Sequence, residues 1–183
     1  MMNKSLTLNE NLLKKIRCIK LLILDVDGVL TDGRIIIDDL GNETKNFDVR
    51  DGHGLKLLMK YGIDVVLLTG RKSKVVEYRA KELDVTEVHQ NAKNKVEVLE
   101  DILRKRKIKG DSVAYVGDDI VDVPVFSKVG FSVAVADAVI YAREAADYIT
   151  EKRGGRGAVR EICEMILKAQ GKWGEIASKY DLN

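Results

Sequence analysis

Proline and cysteine are scarce in this sequence. The single proline, Pro124, argues against a proline-rich linker. The two cysteines, Cys18 and Cys163, lie far apart and lack metal-ligand spacing, so we interpret them as reduced thiols. Met1 to Lys20 lack the apolar core of a signal peptide, and no apolar run approaches the roughly 18 residues that a membrane helix needs. These absences predict a cytoplasmic protein with no membrane partner.

Neither sign of charge is in excess. The net charge of +2 predicts no strong attraction to nucleic acid. The basic run 104–109 ends a predicted helix, where cations suit the helix dipole, and no aromatic residues interleave with it to stack bases. We therefore expect no nucleic-acid partner. Hydrophobic residues make up 45% and charged residues 33%, which predicts a single folded domain over residues 1–183.

Apolar runs alternate with amphipathic segments along the chain, which predicts an α/β fold with a parallel sheet and helices on both faces. The predicted parallel strands are 20–25, 63–68, 85–88, 112–116, 131–135 and 147–149. The predicted helices are 8–18, 52–61, 73–83, 92–107, 121–128, 139–145 and 158–170. Strands at 33–37 and 43–49 around the turn 38–42 predict a hairpin. The tail 173–183 has no clear role.

Chemically active residues follow three of the predicted strands. They are Asp25 and Asp27, Thr69 and Gly70, and the segment 117–119 with Asp118. Ligands of open parallel sheets bind at this edge. Carboxylates two residues apart repel unless a cation or a shared proton separates them, and Mg²⁺ takes such oxygen ligands together with phosphate.

Phosphoryl transfer gives each of these groups a role. Asp25 can attack phosphorus and form an acyl phosphate, while Asp27 protonates the leaving alcohol and later deprotonates water. Asp118 supplies a further ligand for Mg²⁺. Any one of these elements is also typical of a solvated turn or a helix cap. Their conjunction on three strand ends favours a phosphatase.

The phosphate itself needs donors and positive charge. Thr69 offers a hydroxyl and Gly70 an unhindered backbone N–H. A lysine is also expected to balance the carboxylates and the phosphate. Lys95 and Lys93, near the start of a predicted helix, are the candidates.

At these residues the chain resembles the haloacid dehalogenase (HAD) superfamily. The nucleophile segment of that superfamily reads Asp-x-Asp-Gly-x-[Val/Leu]-Thr, and residues 25–31 here read Asp-Val-Asp-Gly-Val-Leu-Thr. Thr69, Lys95 and the Gly-Asp-Asp segment at 117–119 match in the same order. The resemblance implies a three-layer α/β/α Rossmannoid fold.

Within the superfamily the chain looks like the 3-deoxy-D-manno-octulosonate 8-phosphate (KDO 8-phosphate) phosphatases. The segments that carry this resemblance are 25–33, 46–52, 68–72, 114–119, 133–138 and 154–161. The resemblance implies Mg²⁺ held by the side chains of Asp25 and Asp118 and the backbone carbonyl of Asp27. It also implies that no cap domain is present, and only a hairpin at about 33–50 fits between Gly33 and Gly52.

The resemblance also assigns substrate-binding positions. These are Asp27, Asp48, Val49, Arg50, Asp51, Gly52, Lys56, Gly70, Arg71, Arg79, Lys95 and Arg156. Asp48 stands where asparagine is common in the family, and a solvated helix face is an equal alternative for Arg79. A glycine-rich loop and the last predicted helix together span residues 152–170. Arg156 lies in this loop and is expected to reach the active site of its own subunit or of a neighbouring one. A simple helix-start turn is the alternative.

The family further implies a homotetramer in which neighbouring subunits close each site. Three consecutive isoleucines at 35–37 on the hairpin fit that expectation, unless the hairpin packs on its own domain. The predicted function is Mg²⁺-dependent hydrolysis of KDO 8-phosphate in lipopolysaccharide biosynthesis. The alternatives are a phosphatase for a nine-carbon sialic-acid or KDN 9-phosphate, and a non-catalytic partner domain of a sugar-nucleotide enzyme.

Overall fold

A six-stranded parallel sheet forms the centre of the computed structural model, which describes residues 10–182. Its strands are β1 (Leu21–Leu24), β4 (Asp64–Leu68), β5 (Glu87–His89), β6 (Val113–Gly117), β7 (Phe131–Ala134) and β8 (Tyr148–Ile149). They lie in the order β5-β4-β1-β6-β7-β8. Two further strands, β2 (Ile36–Ile37) and β3 (Glu43–Thr44), pair antiparallel in a separate hairpin.

Helices pack in two groups around this sheet. The first group contains α1 (Glu10–Arg17), α2 (Val49–Lys60), α7 (Ala158–Ala169) and α8 (Trp173–Lys179), with α7 in contact with the other three. The second contains α4 (Lys95–Arg106), α5 (Val123–Phe126) and α6 (Ile140–Ala145). Helix α3 (Lys74–Glu82) lies between β4 and β5 in the chain. The predicted three-layer α/β/α fold is confirmed.

Strand β1 lies at the centre because it is apolar on both faces. All four of its residues are at most 1% exposed, and it pairs with β4 on one side and β6 on the other. Burying one such side chain contributes roughly 1.5–3 kcal/mol. The sequence has no polar position in this run that could face water, so the strand is stable only between two helical layers.

The strand order reverses direction beside β1. From β1 the chain continues through β4 to β5 on one side, and β6, β7 and β8 fill the other side. Parallel sheets form a ligand-binding crevice at the carboxyl ends of the strands where this reversal occurs. Here the crevice opens between the ends of β1 and β6, which are followed by Asp25 and Asp118.

The hairpin differs most from the prediction. Strands predicted at 33–37 and 43–49 are only two residues long each, because within the described residues β2 and β3 pair with each other alone and extend no other sheet. An isolated two-stranded hairpin has little to hold its ends together. The predicted helix 8–18 is observed as α1, with residues 8 and 9 outside the described part of the chain.

One helix boundary and one additional helix also correct the prediction. Helix α2 begins at Val49 rather than at 52, because Asp48 caps it by accepting a hydrogen bond from the Arg50 N–H at 2.7 Å. Gly52 suggests a loop, yet a Cβ there would lie 2.4 Å from the Arg79 guanidinium, so close packing accounts for the glycine. The tail without a clear role contains α8, whose Ile176 is buried.

The structure shows no candidate for a membrane-crossing helix between residues 10 and 182, since each helix is too short or too polar.

Candidate active site

The nucleophile candidate, Asp25, lies directly beyond β1. Its N–H donates to the Val116 carbonyl at 3.0 Å, which continues the ladder with β6 by one residue. Its carboxylate accepts a hydrogen bond from the Val26 N–H at 2.7 Å and is 9% exposed. The sheet therefore fixes the backbone of Asp25, while the turn that follows orients its side chain.

Lys95 neutralises this carboxylate. The ammonium group at the start of α4 lies 2.8 Å from Asp25 Oδ2 and 2.7 Å from Asp122 Oδ1, and its side chain is 4% exposed. Two carboxylates hold the pKa of Lys95 above its ordinary value although burial opposes the rise. Lys95 therefore stays charged. Lys93, the other candidate, is exposed at the rim of the cavity.

Asp122 is a site residue to which the sequence analysis assigned no role. The carboxylate is fully buried and accepts four hydrogen bonds. These come from Lys95 (2.7 Å), the Tyr115 hydroxyl (2.6 Å), and the backbone N–H groups of Asp118 (2.9 Å) and Asp119 (3.2 Å). Asp122 thus fixes both the lysine and the loop that carries Asp118. Its position four residues after Asp118, in the same acidic segment, was the sequence feature that could have indicated this role.

Asp25, Asp118 and Asp122 form a buried acidic cluster whose oxygens lie within 4.8 Å of one another. Burial, together with the charges of Asp25 and Asp122, raises the pKa of Asp118 to about 8. Burial also raises the pKa of Asp25, and Lys95 opposes that rise. One lysine does not balance three carboxylates at this separation, so the site favours an additional cation.

The residues present fit a magnesium ion. In the part of the chain that the structure describes, the Asp118 carboxylate accepts no hydrogen bond, whereas Asp122 has all its acceptor positions filled. Asp25 and Asp118 are therefore the carboxylates with oxygens left for a metal. Hard oxygen donors of this kind suit Mg²⁺, which also retains water and binds phosphate.

A cavity of about 460 Å³ lies above these groups. It is lined by Asp25, Asp27, Thr69, Gly70, Arg71 and Lys95, among others. Thr69 is buried, and its backbone is held between His89 and Ala92 by hydrogen bonds of 2.9 and 3.1 Å. The structure thus brings the predicted nucleophile, acid–base group, phosphate donors and lysine to one cavity from three strand ends.

Asp27 faces a cation that the sequence analysis missed. Lys45, just after β3, forms a hydrogen-bonded ion pair with Asp27 Oδ1, and its side chain is only 1% exposed. Arg71 lies further away, with Nε 3.9 Å from Asp27 Oδ2. No sequence pattern indicated a role for Lys45, because a lysine on a short projecting hairpin normally points into solvent.

The segment 48–52 lies outside this cavity in its own chain. Val49 and Arg50 are exposed, and Arg50 pairs with Asp48 at 2.6 Å. Lys56 is also exposed and pairs with Asp84 at 3.2 Å. These placements point the side chains of Val49, Arg50 and Lys56 towards solvent rather than towards Asp25.

Arg79 packs on the start of α2. Its guanidinium lies 5.5 Å from the centre of the Phe47 ring and donates to the Asp48 carbonyl at 3.4 Å. It also pairs with Glu82 at 2.9 Å. These contacts keep most of the side chain away from the cavity, and a substrate contact for Arg79 stays a prediction.

Asp51 holds the start of α7. Its buried carboxylate accepts hydrogen bonds from the Arg160 N–H (2.7 Å) and the Gly157 N–H (3.2 Å). Burial raises the pKa of Asp51 to about 6. Within its own chain Asp51 therefore fastens α2 to α7, and direct contact with a substrate stays a prediction.

The glycine-rich loop before α7 rests on the loop that follows the nucleophile. The Gly155 N–H donates to the Val29 carbonyl at 2.8 Å. Gly155 has φ +60°, and a Cβ there would lie 2.4 Å from the Thr31 carbonyl carbon, so glycine is required. Arg156 beyond it is 66% exposed, with its guanidinium 3.5 Å from Asp32. It lines a separate cavity together with Arg50 rather than the cavity of Asp25.

The hairpin projects its apolar residues into solvent. Ile35, Ile36 and Ile37 are 58, 40 and 60% exposed, and Leu40 is 87% exposed. The alternative that the hairpin buries these side chains on its own domain is therefore wrong.

Comparison with known proteins identifies relatives over nearly the whole chain. Residues 74–162 match the family described as haloacid dehalogenase-like hydrolase. The 3-deoxy-D-manno-octulosonate 8-phosphate phosphatase of Escherichia coli K12 is 49% identical, over 91% of this chain and 89% of that protein.

Solved structures agree with this similarity. The crystal structure of the corresponding phosphatase from Yersinia pestis has a TM-score of 0.89 and 44% identity, over 90% of this chain and 89% of that one. The enzyme from Moraxella catarrhalis, solved in complex with magnesium, phosphate and KDO, has a TM-score of 0.91 and 41% identity. That match covers 94% of this chain and 99% of the other.

Proposed function

The chain belongs to the KDO 8-phosphate phosphatase family of haloacid dehalogenase-like hydrolases, and we infer that it hydrolyses KDO 8-phosphate to KDO and phosphate with Mg²⁺. The observation that carries this inference is the buried cluster of Asp25, Asp118 and Asp122 around Lys95 at the strand-order reversal. Such an arrangement concentrates negative charge around one ammonium group, so it favours a further cation, and a bound Mg²⁺ can in turn hold a phosphate. Lipopolysaccharide biosynthesis is the process that consumes KDO.

We propose Asp25 as the nucleophile and Asp27 as the general acid and base. Asp25 is fixed by β1 and β6, and its carboxylate opens into the cavity. Asp27 lies at the mouth of the same cavity, with its side chain 22% exposed, where a leaving alcohol and a water molecule both have access. Formation of an aspartyl phosphate on Asp25 divides hydrolysis into two displacements at phosphorus.

Thr69, Gly70 and Lys95 are proposed to hold the phosphate. The Thr69 hydroxyl and the Gly70 N–H lie at the end of β4, and Lys95 approaches from α4. Arg71, whose side chain is 40% exposed at the rim, is placed to bind the carboxylate of the sugar acid. The three elements approach from different sides, which limits the orientations of a bound phosphate ester.

The side chains of Asp25 and Asp118 and the backbone carbonyl of Asp27 are proposed to hold Mg²⁺. When bound, the ion shields the repulsion between the anionic nucleophile and the anionic substrate. Asp122 contributes indirectly, since it anchors the backbone of the Asp118 loop.

The direct test is a phosphate-release assay with Mg²⁺ on KDO 8-phosphate and on nine-carbon sialic-acid and KDN 9-phosphates. We expect the eight-carbon substrate to have the highest kcat/KM. Equal turnover of all three would contradict the substrate assignment, and no turnover of any would favour a non-catalytic partner domain. The variant Asp25→Asn should release no phosphate, whereas Asp101→Asn, on the exposed face of α4, should match the wild type.

We further propose that the chain forms a homo-oligomer, with a homotetramer as the expected state. The exposed isoleucines of the hairpin and Leu40 support it, because a monomer would leave this apolar surface in water. In such an assembly the exposed Val49, Arg50, Lys56 and Arg156 are free to face a neighbouring active site. Light scattering should give four chains for the wild type and fewer for Ile35→Ser/Ile37→Ser. An unchanged mass would contradict the hairpin interface.

A cytoplasmic location is proposed as well. The two cysteines, Cys18 and Cys163, form no disulfide in the structure, and Cys163 is buried. Free thiols suit a reducing compartment. Fractionation of cells that produce the protein would test this location.

A further inference from the structure

Lys45 is almost completely buried beside the proposed acid–base group. Its Nζ contacts Oδ1 of Asp27, and only 1% of its side chain is exposed. A lysine is rarely buried unless its charge is paired, since an unpaired buried ammonium loses its hydration. Asp27 is therefore the reason that the lysine can be buried, and the two side chains fix each other.

Glu43 fastens this pair to the rest of the site. Its Oε1 accepts a hydrogen bond from Arg71 at 2.6 Å and lies 3.5 Å from Lys45 Nζ. Its Oε2 accepts one from the Ser73 hydroxyl at 2.6 Å, just before α3. One carboxylate thus joins the hairpin, the loop after β4 and the start of α3. Lys45 therefore lies between two carboxylates, those of Asp27 and Glu43.

The two oxygens of Asp27 are consequently different. Lys45 contacts Oδ1, whereas Oδ2 accepts no hydrogen bond from residues 10–182, and Arg71 Nε lies 3.9 Å from it. Rotation of the carboxylate would break the contact with Lys45. Among the described residues Oδ2 is therefore left without a hydrogen-bond donor, as a group that exchanges protons with a substrate must be.

We propose that Lys45 is a positioning residue for Asp27, held by Glu43, and that it reserves Oδ2 for proton transfer. The inference rests on the proposed function. In the first displacement Asp25 bonds to phosphorus, the ester P–O bond breaks, and the proton on Asp27 Oδ2 passes to the leaving oxygen. In the second, Oδ2 takes a proton from water while the water oxygen bonds to phosphorus and the bond from phosphorus to Asp25 breaks. Lys45 keeps its own protons throughout.

The test compares two leaving groups. An alkyl phosphate such as KDO 8-phosphate needs a proton on its leaving oxygen, whereas 4-nitrophenyl phosphate releases a stable phenolate without one. Because kcat/KM reports only the steps up to departure of the leaving group, it isolates the acid role of Asp27. We expect Lys45→Met to lower kcat/KM roughly 10²-fold on KDO 8-phosphate and less than about 3-fold on 4-nitrophenyl phosphate. Equal losses on both substrates, or no loss on either, would overturn the proposal.

Three further variants keep the test decisive. Lys45→Arg retains the cation and should recover part of the activity on the alkyl phosphate. Glu43→Gln should show the same selective loss as Lys45→Met but a smaller one, and it serves if Lys45→Met does not fold. Lys128→Met, at a lysine whose side chain is 53% exposed, is the matched control and should leave both substrates unaffected. If Glu43→Gln lowers both substrates equally, Glu43 and Lys45 only support the fold and the proposal fails.

If KDO 8-phosphate is not the substrate, the same assays give a different result. A wild type that does not hydrolyse KDO 8-phosphate but hydrolyses glycerol 3-phosphate contradicts the substrate alone, and the comparison then uses glycerol 3-phosphate as the alkyl ester. A wild type that hydrolyses neither alkyl nor aryl phosphates overturns both inferences.

Discussion

Replacing Asp122 by asparagine tests whether one buried carboxylate organises the site. The four hydrogen bonds that it accepts come from Lys95, Tyr115 and two backbone N–H groups, over 2.6–3.2 Å. Asparagine has a single carbonyl oxygen, so its NH₂ group must face two of these four donors. At least one bond to a donor is lost in either orientation, because Lys95 and the backbone N–H groups cannot accept.

The expected loss of stability follows from these contacts. A hydrogen bond to a charged group contributes about 1.5–3 kcal/mol and a neutral one about 1 kcal/mol. Removal of one negative charge relieves repulsion with Asp25 and Asp118, which offsets part of the loss. We therefore expect the free energy of unfolding of Asp122→Asn to fall by about 2–4 kcal/mol, which overlaps the lower part of the roughly 3–5 kcal/mol for breaking a buried ion pair completely.

Function should change through the Asp118 loop and Lys95. Residues behind metal ligands typically alter metal affinity by about 10–100-fold, so half-saturation of phosphate release should need that much more Mg²⁺. Urea unfolding measures the stability, and a Mg²⁺ titration of initial rates measures the affinity. Asp119→Asn is the control for stability, since Asp119 is exposed and, within residues 10–182, its side chain bonds only to the Ile120 N–H. If Asp122→Asn unfolds like this control and needs no more Mg²⁺, our account of Asp122 is wrong.

Three further predictions concern metal, pH and backbone strain. Chelation of the metal should abolish phosphate release, and added Mg²⁺ should restore it. At a Mg²⁺ concentration 100 times its Kd, the free energy of unfolding should rise by about 2.7 kcal/mol. Activity that survives complete metal removal would contradict the metal role. Burial raises the pKa of Asp51 from 3.8 to about 6, so its folded form favours the proton. As the pH rises from 4 to 7, the free energy of unfolding of the wild type should therefore fall by up to about 3 kcal/mol relative to that of Asp51→Asn. The urea midpoints of both proteins measure this across the pH range, and midpoints that change in parallel would refute it. Gly155→Ala should lower the free energy of unfolding by about 1–3 kcal/mol because of φ +60° and the approach to Thr31. Gly174→Ala in α8, where a Cβ would meet nothing, should be neutral or stabilising, and equal effects of the two changes would exclude strain at Gly155.

The parallel sheet could be predicted from the sequence because its strands are continuous apolar runs. Strands buried on both faces cannot alternate polar and apolar residues, so the run Leu21–Leu24 identifies β1 without tertiary information. The functional groups at Asp25, Thr69 and Asp118 follow from the same logic. Parallel strands place their carboxyl ends at one edge, and the crevice is observed there.

Local boundaries were less predictable where packing overrides propensity. Helix α2 begins at Val49 because Asp48 caps it, although Gly52 in its first turns has a poor helix propensity. The space for a side chain at Gly52 is taken by Arg79, which belongs to a different helix. No local pattern contains that contact.

The sequence by itself predicted the groups that carry the proposed chemistry, and the tertiary structure decided which charges meet. The spacing of Asp25 and Asp27 and the positions of Thr69 and Asp118 are properties of strand ends, and Lys95 lies at a helix start, all of which local patterns reveal. The contacts of Asp122 with Lys95 and of Lys45 with Asp27 join residues 27 and 18 positions apart. Charged side chains look solvated in a sequence, and only folding shows which of them lose water and must find partners.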